Sequence, residues 1–419
     1  MSVTIKSKPF SETWWDEFII NSGNMTYPIV VEDSIINDVK DLKESIYEML
    51  QNLKNEDASL AWRVWVDGEL DNNLKKDIIN DPIKGEKDLL LWQKRNFGDK
   101  KFGIILNNAQ RYSEKSRQLI SNYFKPFLDK KPPFGGINFS VFIGNYGWTP
   151  IGIHEDHTGS FVMHFHLGPG DKTMYMWERS NYKDNLHGNE NENKPKGYIP
   201  FADYTCHFKT GDVFFMPWNY YHIGKSEDLS LSLTVWFNYT TVDGLLNGVW
   251  ESGLKELTDG EISNDDVMPN IKNIEDDTSM DLILSQLEEE FDETKLSDFI
   301  KEQLEDYTEA LKSNNWYDSG DLKNKKKNIT LNGSTKLKSN KSKIRYKRSG
   351  ESIRIFHRGD KLSFHYHDDM EKFISLLNEG NTNNVNTILD NLFTDWPEGI
   401  GVRLLEILCE NDFLLVIED

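Results

Sequence analysis

Cysteine is scarce: Cys206 and Cys409 are the only two among 419 residues. Two thiols so far apart in sequence can build neither a disulfide framework nor a Cys-based zinc site, and a reducing cytoplasm is the expected setting. Long apolar runs are missing too. No stretch approaches the roughly 18 apolar residues of a membrane span, and the opening MSVTIKSKPFSETWWDEF has no apolar core of signal-peptide length, so no membrane partner is expected. Basic charge is in deficit, with 48 Lys plus Arg against 69 Asp plus Glu and a net charge of −21. That balance excludes coating nucleic acid through the whole surface, so any basic partner site must be local, and nucleic acid is not an expected partner except through a ribonucleoprotein target. Aromatic residues, by contrast, are plentiful: 12 Trp and 23 Phe are more than a disordered chain carries. At roughly 100 to 200 residues per domain, two or three packed domains are expected.

Patterning divides the chain into four parts. Over 1–250 short helical patterns give way, after Pro132, to short aromatic or β-branched runs bounded by turn residues: INFSVFIGN, SFVMHFHL, TMYMWE, DVFFMPW and LSLTVWFNYT. Many short strands between turn signals predict a mainly β jelly roll rather than a parallel α/β sheet. Over 251–319 the composition is acidic and helical. One apolar stripe runs through Met280, Ile283, Leu284, Leu287 and Phe291, and a second through Leu296, Phe299, Ile300, Leu304, Tyr307 and Leu311. Together they predict a helical hairpin whose apolar faces meet the barrel or a second subunit, so a homodimer is one arrangement allowed. The Lys-, Asn- and Ser-rich segment 320–349 reads as a basic flexible linker. Residues 350–419 read as a small α+β domain: two strands around Arg358-Gly359-Asp360, three helical patterns and a final FLLVI strand, a winged-helix-like order.

Chemistry concentrates in histidine. His154-Glu155-Asp156 puts an imidazole and a carboxylate on one side of a strand end, because alternate residues share a face. His222, arriving from a later strand, would complete a set of two imidazoles and one carboxylate, the facial arrangement typical of non-haem Fe(II). A second set is also available: His164 and His166 stand as His-x-His on one strand and could bind metal with His222. HEDH is one residue short of the zinc-protease His-Glu-x-x-His, and GPGDKT has Asp171 where a phosphate-binding loop needs Gly.

The segment from Gly211 to His222, with Pro217 between them and the strand LSLSLTVWF after it, resembles the second cupin motif, Asn219 standing where Gly is common. With the upstream His-x-Asp it is similar to the JmjC branch of the cupin superfamily, Fe(II)- and 2-oxoglutarate-dependent oxygenases built on a double-stranded β-helix. The resemblance implies His154, Asp156 and His222 as metal ligands and O2 as co-reactant. Lys172, which follows SFVMHFHL and a Gly-containing turn, matches the cation that pairs with the distal carboxylate of 2-oxoglutarate. Thr149, in a Thr-Pro pair, matches a further cosubstrate ligand, and His164 would line the oxo-acid pocket or be a satisfied core histidine. The order of a JmjC domain, a helical segment and a winged helix resembles the bacterial ribosomal oxygenases. The C-terminal part also resembles precursor-peptide recognition domains. Both imply a hydroxylase acting on a peptide or protein side chain, with a small-molecule hydroxylase or a non-catalytic JmjC binding module as alternatives.

Overall fold

The computed structural model describes residues 2–53, 62–258, 296–318, 329–340, 342–393 and 396–417. The chain divides into two compact units, Met1–Thr240 with Asn315–Asn324, and Thr241–Asn314 with Lys325–Asp419.

The first unit is built on thirteen described strands: β1 (Ser2–Val3), β2 (Ile29–Val31), β3 (Trp62–Val66), β4 (Glu69–Leu70), β5 (Phe102–Asn107), β6 (Ile137–Gly144), β7 (Gly147–Trp148), β8 (Ser160–Pro169), β9 (Lys172–Glu178), β10 (Tyr204–Phe208), β11 (Val213–Met216), β12 (Tyr220–Ser226) and β13 (Ser230–Asn238). They form a nine-stranded sheet in the order β1-β2-β11-β8-β13-β6-β5-β3-β4 and a four-stranded sheet in the order β10-β9-β12-β7. From β8 onward the chain changes sheet repeatedly: β8, β11 and β13 lie in the large one, and β9, β10 and β12 in the small one. This alternation is the jelly-roll pattern that the strand spacing predicts. The N-terminal region, read from sequence only as mixed, supplies β1–β5, which extend the large sheet at both ends, and the helices α1 (Glu12–Asn21), α2 (Val39–Asn52), α3 (Leu74–Asn80), α4 (Leu89–Phe97) and α5 (Glu114–Leu128).

Aromatic packing holds α1 and α5 against the large sheet. Ser11 caps α1 by accepting from the Trp14 N–H, and Ser113 caps α5 by accepting from Ser116. The first turns so fixed bury Trp14, Trp15 and Phe18 from α1 with Phe124 and Phe127 from α5. Trp15 lies 4.6 Å from Phe127, and Phe124 lies 4.5 Å from Phe237 of β13. With the outer face of the large sheet covered in this way, its inner face and the small sheet are left to build a site.

The second unit contains α6 (Val242–Thr258), α7 (Leu296–Ser313), β14 (Lys336–Ser339), β15 (Arg345–Ser349), β16 (Ser352–His357), β17 (Asp360–His365), α8 (Asp368–Asn378), β18 (Asn383–Asn384), α9 (Val385–Leu392), α10 (Glu398–Glu410) and β19 (Leu414–Ile417). The second apolar stripe is α7, whose Phe299 packs edge-on to Trp250 of α6 at 6.3 Å. The stripe from Met280 to Phe291 lies outside the described residues. The two strands around Arg358-Gly359-Asp360, the three helical patterns and the closing FLLVI strand are present as β16, β17, α8, α9, α10 and β19.

The described residues of 320–349 differ from the expected flexible linker. Among them β14 pairs with β19 and β18, and β15 pairs with β16. The physical reason is that three apolar residues of this segment, Leu331, Leu337 and Ile344, are buried in the second unit's core. Part of its basic charge is paired within the unit, Arg345 with Glu309 of α7 at 2.6 Å and Lys347 with Glu305, while Lys361 of β17 meets Asp306 at 3.1 Å. The buried Arg354 guanidinium meets Asp306 at 3.0 Å as well as Glu302. Removing one partner of a buried ion pair leaves an uncompensated charge, so Asp306→Ala is expected to destabilise the second unit by about 3–5 kcal/mol. Chemical denaturation followed by hydrogen exchange on α7 and β16 checks this, and protection unchanged from wild type would contradict it.

Candidate metal centre

His154 and His222 are held opposite one another by backbone. The His154 N–H donates to the His222 carbonyl at 3.2 Å and the His222 N–H to the His154 carbonyl at 2.8 Å, which brings the rings to 4.4 Å between centroids. Each ring is then oriented by a second bond. His154 Nδ1 lies 2.9 Å from the Gly152 carbonyl and His222 Nδ1 lies 3.1 Å from the Tyr220 carbonyl. A carbonyl only accepts, so both Nδ1 atoms carry the proton and both Nε2 lone pairs are left free to ligate. Gly152 is required here: its φ is +83°, and a Cβ would lie 2.5 Å from the Asn191 carbonyl carbon. Asp156 completes the group, with Oδ1 3.9 Å from His154 Nε2. One ligand atom from each of His154, Asp156 and His222 falls within 4.8 Å of the others.

Electrostatics favour a cation at this point. Burial lowers His154 to about 4 and His222 to about 4, so both imidazoles are neutral near pH 7. Burial raises Asp156 to about 6, and its Oδ2 is buried with no hydrogen-bond partner. An orphaned carboxylate oxygen between two neutral imidazole lone pairs is costly alone and is satisfied by a divalent ion. The donor set, two nitrogens and one oxygen leaving room for further ligands, fits Fe(II) and its stand-ins Co(II) and Mn(II).

Below about 6 Asp156 holds a proton that a metal must displace, so metal affinity is expected to be level above about pH 7 and to fall by up to roughly ten-fold per unit once pH drops through about 6. In the metal-free protein the same raised value means that Asp156 favours the fold at low pH, and that this contribution is lost as pH rises through about 6. Competition titrations with Mn(II) across this range check the first statement, and a flat profile would contradict it.

A cavity of about 430 Å³ opens beside the three ligands and is lined from both sheets. Lys172, the first residue of β9, reaches into it almost fully buried, its ammonium 4.8 Å from the Phe142 ring centroid. Among the described residues no carboxylate pairs with it, so a buried cation faces this cavity without a counter-ion. Gly224 of β12 makes room for it: a Cβ there would stand 2.8 Å from Thr149 Oγ1 and 3.3 Å from Lys172 Cε. Thr149 lines the same cavity, but its hydroxyl donates to the Gly224 carbonyl at 3.0 Å. His164 also faces it, with Nδ1 2.9 Å from Thr234 Oγ1. Burial first, and then the charge of Lys172, hold its imidazole neutral.

The alternative set of His164, His166 and His222 is not assembled. Both ring nitrogens of His166 are already engaged, Nδ1 with Ser232 Oγ at 3.1 Å and Nε2 with the Gly170 carbonyl at 2.8 Å. Sequence reasoning missed Arg63, Asn107, Glu155 and Glu190, which also line the cavity. One signal was available: Arg63 interrupts the otherwise apolar strand WRVWV. A separate surface hollow on α2 has its chemistry internally paired, since Lys43 and Tyr47 both donate to Glu86.

The two sheets of the jelly roll enclose two histidines and a carboxylate that could hold a metal ion. Solved structures share the fold over nearly the whole chain. The X-ray structure of E. coli ycfD matches with a TM-score of 0.52 at 14% identity, covering 96% of this chain and 98% of that one. Structures of YcfD, a ribosomal oxygenase from Escherichia coli, in complex with cobalt and succinic acid and in complex with cobalt and 2-oxoglutarate, each match with a TM-score of 0.51 at 14% identity and the same coverage. No family model matches the sequence, and no curated protein matches it. No helix among the described residues is long and apolar enough to cross a membrane.

Proposed function

We propose that this chain is an Fe(II)- and 2-oxoglutarate-dependent oxygenase that hydroxylates an unactivated C–H of a peptide or protein side chain. The observation that carries the reading is the pairing, in one cavity, of the His154, Asp156 and His222 group with the buried, unpaired Lys172 ammonium. An iron bound there would supply O2 activation coupled to decarboxylation of the oxo acid to succinate. The chain's own work is positional. His154, Asp156 and His222 hold one face of the ion, Lys172 pairs with the distal carboxylate of 2-oxoglutarate, and Thr149 and His164 shape the pocket between them. The dry surroundings, Met174, Val162 and Met216 among them, keep water from the reacting centre.

The polypeptide substrate is supported by the likeness to ribosomal oxygenase structures, which extends over 96% of this chain and so includes the second unit. We read that unit as winged-helix-like, from its β16–β17 hairpin and three following helices, and as the element that helps to dock substrate. The exposed apolar residues Val242 and Leu246 of α6 are the face on which we place a homodimer. Two free thiols, Cys206 and Cys409, suit a cytoplasmic setting.

The test is stoichiometric. Purified protein with Fe(II), 2-oxoglutarate and O2 should release succinate slowly on its own. With a hydroxylatable polypeptide it should do so in step with a gain of one oxygen atom on that polypeptide. A protein that binds iron but forms no succinate under any condition would favour the non-catalytic binding module instead.

A further inference from the structure

The cavity beside the metal group continues along the inner face of the large sheet to β3, where it meets Arg63. Arg63 pairs with Ile105, and Ile105 pairs with Phe142, the ring against which Lys172 lies. Two strand spacings of about 4.8 Å separate Arg63 from that ring, so the two cations serve different places in the cavity. The Arg63 guanidinium carbon lies 5.3 Å from the Trp65 ring centroid, and among the described residues no carboxylate or carbonyl pairs with it. A charge it does act on has its own sign: Lys75 is lowered by burial and then by Arg63.

A second donor stands on the same face. Trp236 Nε1 donates to Ser140 Oγ at 3.2 Å, and Ser140 Oγ donates to Asn107 Oδ1 at 3.1 Å. This chain fixes the Asn107 amide so that its NH2 group points away from Ser140, and it meets no acceptor among the described residues. The acids of the cavity lie elsewhere. Glu155 stands between the metal ligands and bonds Arg179 at 2.7 Å, and Glu190 accepts from Tyr221 at 2.5 Å. The acids are therefore ion-paired, Glu155 with Arg179 and Glu190 with Lys183 at 3.3 Å, whereas Arg63 and Asn107 are donors that meet no acceptor among the described residues.

We infer that Arg63, assisted by the Asn107 amide, is a specificity-determining anchor for a carboxylate on the polypeptide substrate, an Asp or Glu side chain near the residue presented to the metal. A planar guanidinium takes a carboxylate through two parallel hydrogen bonds, which gives register as well as affinity. The inference rests on the oxygenase reading above. The same carboxylate chemistry could be offered by 2-oxoglutarate itself, and the experiment separates the two sources.

The probe is a random-peptide library displayed on phage, selected on full-length protein loaded with Mn(II) and 2-oxoglutarate without O2. Wild type should enrich peptides with an acidic residue at one position, and Arg63→Lys should retain that preference. Arg63→Glu should exchange it for Lys or Arg and should bind the wild-type peptides about ten- to a hundred-fold more weakly. Wild-type peptides without an acidic position, or the same preference surviving in Arg63→Glu, would overturn the inference. So would a comparable loss of 2-oxoglutarate affinity in Arg63→Glu, measured by calorimetry on the Mn(II)-loaded protein, which would assign the cation to the cosubstrate. If wild type enriches no peptide yet converts 2-oxoglutarate to succinate, the polypeptide reading falls and the anchor with it. If it makes no succinate, it is the oxygenase reading that has failed.

Discussion

His154→Ala, Asp156→Ala and His222→Ala are each expected to lose the metal and all succinate formation, while His164→Ala and His166→Ala keep the metal. The asymmetry follows from geometry. The first three present their ligand atoms within 4.8 Å of one another, whereas both His166 nitrogens are spent on Ser232 and Gly170. Losing a group that merely supports a ligand commonly costs about 10- to 100-fold in metal affinity, and losing one of only three ligands costs more. Metal analysis of the five purified proteins decides the point. Metal retained by His154→Ala and lost by His164→Ala would restore the His164, His166 and His222 set.

Lys172→Ala should leave metal binding intact and raise the KM for 2-oxoglutarate. A charge-assisted bond between a buried ammonium and a carboxylate contributes about 1.5–3 kcal/mol, or roughly ten- to a hundred-fold. Lys172→Arg should be milder, since it retains the charge. Lys225, a further cation on the neighbouring strand, is already paired with Glu227 at 2.9 Å, so it should not substitute. A 2-oxoglutarate titration decides this one, and an unchanged KM in Lys172→Ala would move the role to another residue.

What was legible in the sequence was what local chemistry repeats. His154-x-Asp156 announces ligands by residue type and spacing, although His154 makes only an isolated bridge and Asp156 lies outside any strand, and the run from Gly211 to His222 does so by its resemblance to the second cupin motif. The strands β6, β8, β9, β11 and β13 were legible because aromatic and β-branched residues alternate with turn signals. The rest depends on partners distant in sequence. Nothing local in WRVWV says that β3 will join the same sheet as β13 and carry Arg63 into the cavity. The segment around β14 and β15 was misread as a tether because lysines dominate its composition, whereas Leu337 and Ile344 decide its structure by being buried. Glu155 was visible between two ligands, but its unpartnered oxygen belongs to three-dimensional packing alone.

His154, Asp156 and His222 are expected to bind one iron, to which 2-oxoglutarate then adds. Anaerobic addition of Fe(II) and 2-oxoglutarate to the purified protein, followed by visible absorption, tests it most directly. One equivalent of iron per chain should produce the metal-to-ligand charge-transfer band of a chelated oxo acid, and His222→Ala should abolish it. Wild-type protein that takes up iron without giving the band, or a band that persists undiminished in His222→Ala, would contradict the account.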